Sequence, residues 1–221
     1  MLMIPQRRSV VSEMTLVKIC GITNLDDALA AVAAGADALG FNFYNLSPRY
    51  IKPEYAREII KHLPSSVFPV GVFVDEELDA IRAIAREASL LALQLHGDET
   101  PEYCRELATD FYVIKTFAVS DTFDIQALAP YEVEAIMLDT KHDRLRGGTG
   151  RVFDWSVAQR VSQTNPKLFL AGGLSPENVK NAVEIVRPFA VDACSALEDT
   201  PGKKSHERMR VFVNTVRGVG P

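Results

Sequence analysis

The feature that most limits what this chain can become is an alternation of short β-rich runs with helical segments of about ten residues. Eight runs fall at 15–20, 37–43, 67–74, 90–95, 111–117, 134–139, 167–171 and 188–193. Helical patterns follow near 25–34, 53–62, 76–87, 100–108, 123–129, 154–163, 176–185 and 205–217. Such alternation implies βαβ units around a parallel sheet. Several runs are apolar without a polar face, as strands covered on both sides require. Helix starts are marked by Asn24, by Thr100 before Pro101, and by Ser175 before Pro176. In the last helix Met209, Phe212, Val213 and Val216 form a stripe that should face the sheet.

A polar residue stands at or just beyond most strand ends: Cys20, Arg49, His96, Asp139, Gly172-Gly173, and Asp192 with Ser195. In a closed parallel barrel those ends share one rim, so residues scattered along the chain converge. An open doubly wound sheet uses the same alternation, but its glycine-rich first turn is missing: Cys20-Gly21-Ile22-Thr23 holds one glycine. The expectation is therefore an α/β chain folded as a (βα)8 TIM barrel, with one domain over 15–221. Residues 1–14 read as a disordered N-terminal extension, with Met14 as an alternative start.

Bulk properties narrow the partners. The 221 residues carry a formal charge of −5 and no basic run, which argues against nucleic acid. No apolar run approaches the roughly 18 residues of a membrane span. Three cysteines form no even framework, so a reducing, cytoplasmic setting is expected. Four histidines show no paired ligand spacing, so no metal is expected. Monomer and homodimer both remain open.

The candidate residues each carry two readings. Gly172-Gly173 serves equally as a tight turn or as a phosphate cradle of backbone N–H groups; the second polar turn at Ser195 tips it toward phosphate. Gly147 to Gly150 is a solvated loop or a flap over substrate. Cys20, from position alone, fits an inert core thiol more readily than a base, because a reactive cysteine needs an electropositive setting. Asp139 suits a general acid, a helix cap, or a partner for Lys141 or Arg144. Arg49 offers a planar fork for a carboxylate, though a loop arginine is more often simply solvated. His96 reads as a hydrogen-bonded structural histidine or a ligand-orienting one. Cys104 and Cys194 read as packing residues.

Taken together, the segments resemble the phosphoribosylanthranilate isomerase family of tryptophan biosynthesis. The likeness rests on Lys18 to Thr23 (KICGIT), Gly35 to Phe41, Ser47-Pro48-Arg49, Val70 to Val74 and Gln94 to Glu99 (QLHGDE). It continues through Leu138-Asp139, Gly147 to Gly150, Phe153 to Trp155, Ala171 to Leu174 and Pro201-Gly202. The resemblance implies a barrel without cofactor, acting on a phosphosugar–anthranilate substrate by an Amadori rearrangement. It implies Cys20 as general base and Asp139 as general acid, with Arg49 on the anthranilate carboxylate and Asp192 on a ribulose hydroxyl. It implies phosphate binding at Gly172, Gly173, Ser195 and Ala196, with His96 beside the substrate.

The chain departs from the family at two places. Asp-Val-Ser-Ser-Gly-Val-Glu becomes Asp192 to Glu198 (DACSALE), which puts Cys194 for a serine and Ala196 for a glycine. Lys-Asp becomes Lys204-Ser205, where serine is expected to cap the last helix. These changes should alter affinity and leave the chemistry in place. Competing readings are another phosphosugar barrel enzyme, such as indole-glycerol-phosphate synthase or a bifunctional isomerase of the histidine and tryptophan pathways, and a phosphate-binding protein without catalysis.

Overall fold

A computed structural model describes residues 14–140 and 153–219. The N-terminal extension before Met14, the Gly147 to Gly150 segment, and Lys141 and Arg144 lie outside the described residues. Eight parallel strands close on themselves in chain order: β1 (Leu16–Cys20), β2 (Ala38–Asn42), β3 (Phe68–Phe73), β4 (Ala92–Leu95), β5 (Tyr112–Val119), β6 (Ala135–Thr140), β7 (Leu168–Leu170) and β8 (Ala190–Ala193). The seam is the pairing of β1 with β8, in which Leu16, Val17, Lys18 and Ile19 face Ala190, Val191, Asp192 and Ala193.

Helices pack outside: α1 (Leu25–Ala34), α2 (Pro53–Ile60), α3 (Leu78–Ala88), α4 (Pro101–Ala108), α5 (Trp155–Thr164), α6 (Val179–Val186) and α7 (His206–Arg217). The expected α7 stripe is buried, with Met209, Phe212, Val213 and Val216 at 3% exposure or less. Burying each such side chain contributes about 1.5–3 kcal/mol. Asn24 and Thr100 cap α1 and α4 as expected, accepting from the N–H groups of Asp27 and Tyr103. No helix among the described residues is long and apolar enough to cross a membrane.

Three local expectations are corrected. The helix expected over 123–129 is a single 3-10 turn, Ile125–Leu128, held by Asp124 and stopped before Pro130, which cannot donate and restricts its neighbour. Ser175 does not cap α6, which begins at Val179; instead it accepts from Glu177 N, and Asn178 accepts from Ser175 N. Ser205 precedes α7 but its side chain makes no cap bond. Asp27 takes over at that end: it is buried and accepts from Lys204 N and His206 Nε2, both at 2.8 Å, tying α1 to α7.

The strands alternate in two layers. Val17, Ile19, Leu39, Leu93, Leu138 and their neighbours pack outward under the helices. Val70, Ala92, Ile114, Ala135, Met137, Phe169, Ala171 and Ala190 fill the interior as a separate cluster. Following the inward positions toward the C-terminal ends, the side chains turn polar. Ala135 and Met137 are succeeded by Asp139, Ala92 by Gln94 and His96, Ile114 by Thr116, and Ala190 by Asp192 and Cys194. The barrel is thus a plugged cylinder with one reactive end.

Candidate active site

Lys18 sits at the floor of that end with no exposed surface. A charge so buried is costly unless paired. The β1–β8 register supplies the partner: Asp192 Oδ1 lies 2.7 Å from Lys18 Nζ. Burial works to lower the ammonium's pKa, but Asp192 and Cys20 outweigh it and hold the pKa above its ordinary value. Lys18 is therefore a fixed cation beneath Cys20.

Cys20 ends β1, and its sulfur lies so near Gly40 that a Cβ there would approach within 2.7 Å of it and 3.2 Å of Lys18 Nζ. The thiol's pKa is lowered to about 7, first by a hydrogen bond from Cys194, then by the Lys18 and Lys204 charges, against burial and Asp192. This is the electropositive setting that a thiolate base requires. Cys104, by contrast, is wholly buried, and burial pushes its thiol up to about 11.

Asp139, near the end of β6, is at the same rim with its side chain 20% exposed. His96 Nε2 stands 3.5 Å from its Oδ2, and Gln94 Nε2 stands 2.9 Å from His96 Nδ1. The barrel mouth withdraws solvent from His96 and lowers its pKa, although 37% of the side chain stays exposed; Asp139 and Asp192 oppose the shift. His96 thus feels charge from both sides of the mouth. A cavity of about 510 Å3 opens beside it, lined in part by Asp75, Lys115, Thr116, Phe117 and Tyr131. Its size suits a small ligand.

Lys115 and Glu99 stabilise the loop next to this cavity. Their 2.7 Å ion pair is buried, and Glu99 also accepts from the N–H groups of Gly97 and Asp75. The turn after β7 needs glycine: Gly172 has φ of 85°, and a Cβ there would lie 2.3 Å from Thr140 Oγ1 and 3.0 Å from Asp139 Oδ1. Gly173 follows with φ of 70°, its carbonyl held by Asn178 Nδ2 at 2.9 Å. Ser195 and Ala196 lie in a 3-10 turn, Ser195–Leu197. Ala196 keeps a negative φ there, so the wide angles of the family's glycine are not used.

Arg49 follows β2 and meets Glu198 in a two-pronged contact, Nε at 2.8 Å and Nη2 at 2.7 Å. One edge of its fork is thereby occupied, leaving the Nη1 end for a ligand. Glu198 and Lys204 belong to a small hairpin, β9 (Glu198–Thr200) and β10 (Lys203–Lys204), with their own contact at 2.8 Å. Both residues stand in the family-like segments at 192–198 and 204–205, but the sequence does not announce their pairing; Pro201-Gly202 signals a turn and names no partner. Cys194, expected to be a packing residue, lies outside both apolar clusters, with its sulfur 3.7 Å from Lys204 Nζ.

Residues 17–215 match the family model described as N-(5'phosphoribosyl)anthranilate (PRA) isomerase. The chain is 49% identical over 206 residues to the N-(5'-phosphoribosyl)anthranilate isomerase of Thermotoga neapolitana, covering 93% of this chain and all of that one. The Thermotoga maritima isomerase structure superposes with a TM-score of 0.87 at 50% identity, with the same coverage. An isomerase structure in complex with reduced 1-(o-carboxyphenylamino)-1-deoxyribulose 5-phosphate superposes at 0.84 with 48% identity, over 93% of this chain and all of that one. Such agreement, over nearly the whole length, places the chain in the N-(5'-phosphoribosyl)anthranilate isomerase family.

Proposed function

We propose that this protein converts N-(5-phosphoribosyl)anthranilate to 1-(2-carboxyphenylamino)-1-deoxyribulose 5-phosphate, the aldose-to-ketose step of tryptophan biosynthesis, with Cys20 as base and Asp139 as acid. The observation that carries the reading is a thiol beside the Lys18 ammonium and a partly exposed carboxyl at one rim of a barrel of this family.

Asp139 delivers a proton to the furanose oxygen as the bond from that oxygen to C1 breaks and the anthranilate nitrogen becomes an iminium. The iminium acidifies the hydrogen on C2, and the Cys20 thiolate removes it. The resulting enolamine takes a proton at C1 and releases one from the C2 hydroxyl, leaving the ketone. No atom is gained or lost. Cys20 ends protonated and Asp139 ionised, so solvent exchange resets both.

The Lys18 charge favours the thiolate that begins this sequence. Gly172, Gly173, Ser195 and Ala196 hold the phosphate in this reading, and the Nη1 end of Arg49 takes the anthranilate carboxylate. Asp192 offers its second oxygen to a sugar hydroxyl, the first being engaged by Lys18. His96, whose neutral form is favoured, orients substrate beside Asp139.

The test is turnover of freshly made phosphoribosylanthranilate, followed by loss of its fluorescence. Wild type should react, while Cys20→Ala and Asp139→Asn should each lose about 10²–10⁴-fold. Inactive wild type, or variants equal to it, would overturn the assignment.

A further inference from the structure

Cys194 has a place in the site that its residue type does not announce. Ile19 and Ala193 are Cα partners across the β1–β8 seam, so Cys20 and Cys194 come next on adjoining strands, on the inward side. Both sulfurs crowd glycines beside the seam: a Cβ on Gly40 would come within 2.7 Å of Cys20 Sγ, and one on Gly21 within 2.9 Å of Cys194 Sγ. Behind Cys194, Lys204 Nζ contacts its carbonyl at 3.2 Å and its sulfur at 3.7 Å. Cys104 belongs to an apolar cluster; Cys194 belongs to none.

We propose that Cys194 is a positioning residue for the base, its thiol donating to the Cys20 sulfur and keeping that sulfur anionic. The inference rests on the reading of Cys20 as base and deepens it. Both thiols are free, and they hold one negative charge between them. Cys20 takes it because the Lys18 charge lies beneath its sulfur and Cys194 supplies the hydrogen. The Cys194 thiol stays protonated: its bond to Cys20 is the main cause, burial the next, and its pKa lies well above the ordinary value.

The charged groups facing the pair come from every neighbouring element: Lys18 from β1, Asp192 from β8, Lys204 from β10, Glu198 from β9, and Arg49 from the loop after β2. These three cations exceed the two acids by one charge, which favours a single thiolate in the pair. The serine usual here in the family also carries one donor hydrogen. Its replacement by cysteine therefore preserves the function assigned to this position.

The experiment is the pH dependence of iodoacetamide alkylation at Cys20 in the full chain, read by mass spectrometry of the Cys20 peptide. Cys194→Ala, and Cys194→Val as a non-donor closer in volume, should raise the alkylation midpoint by about one pH unit, a tenfold loss of thiolate below it. Cys194→Ser should stay within a few tenths of wild type, and the acidic limb of kcat/KM should move in step. A midpoint unchanged in either folded non-donor variant would overturn the proposal. So would a serine variant that behaves like alanine. Alkylation reads the thiol without turnover: a shifted midpoint together with full activity in Cys20→Ala would sink the base assignment and leave the thiol coupling standing.

Discussion

Arg49 and Glu198 stand 149 positions apart and join through two parallel hydrogen bonds of 2.8 and 2.7 Å. The carboxylate fixes the plane of the guanidinium before any ligand arrives. A charge-assisted bond of this kind contributes about 1.5–3 kcal/mol. Glu198→Gln and Arg49→Lys should each raise KM by about 10–100-fold while kcat changes far less. Steady-state kinetics on both variants will show it; an unchanged KM for Arg49→Lys would remove Arg49 from substrate recognition.

The lowered pKa of Cys20 sets the acid side of the pH profile. The base is competent only as thiolate, so kcat/KM should rise with pH through about 7 and level off above it. In Asp139→Asn this ascending limb should persist at reduced amplitude, because the base is untouched. A wild-type profile that falls as pH rises through 7 would contradict a thiolate base.

Lys115 and Glu99 predict a stability effect distinct from catalysis. Both side chains are at most 2% exposed, so removing one partner strands a buried charge. Lys115→Met should cost about 3–5 kcal/mol in urea unfolding. The double variant Lys115→Met/Glu99→Leu should lose less than the sum of the singles, because the ion pair is absent from both reference states. It should remain below wild type, since the Gly97 and Asp75 N–H groups lose their acceptor.

Two left-handed glycines should respond differently to alanine. Gly172→Ala forces the new methyl against Thr140, whose neighbour is Asp139, so a shift there displaces the acid. A displacement of that order lowers kcat by up to about 10²-fold. At Gly35, with φ of 98°, a Cβ meets only Val213 Cγ1 at 3.4 Å, far from the rim. Gly35→Ala should cost about 1–2 kcal/mol of stability and leave kcat alone. Thermal melts paired with kinetics separate the two cases.

The strands were legible in the chain because each is a short run buried on both faces. Their polar ends were legible because period-two alternation carries Ala135 and Met137 on to Asp139. Pairings across the seam were not. Nothing near Lys18 announces Asp192, and nothing near Arg49 announces Glu198, since closure of the barrel alone makes them neighbours. Cys194 was misread for the same reason: its partner lies on a strand at the other end of the chain. The 3-10 turn at Ile125–Leu128 was misread as a helix because its pattern is helical and only Pro130 shortens it.

The closed seam has a topological consequence. Arg217, in the last turn of α7, donates to the carbonyl of Thr15 at 2.9 Å and of Gly35 at 3.0 Å, so the outermost βα units abut. Where the polypeptide starts is then a matter of convention for the rim. Splicing residue 219 to residue 15 by a short linker, and reopening the ring in a connection on its far side, yields a circular permutant with the same neighbours in a different order.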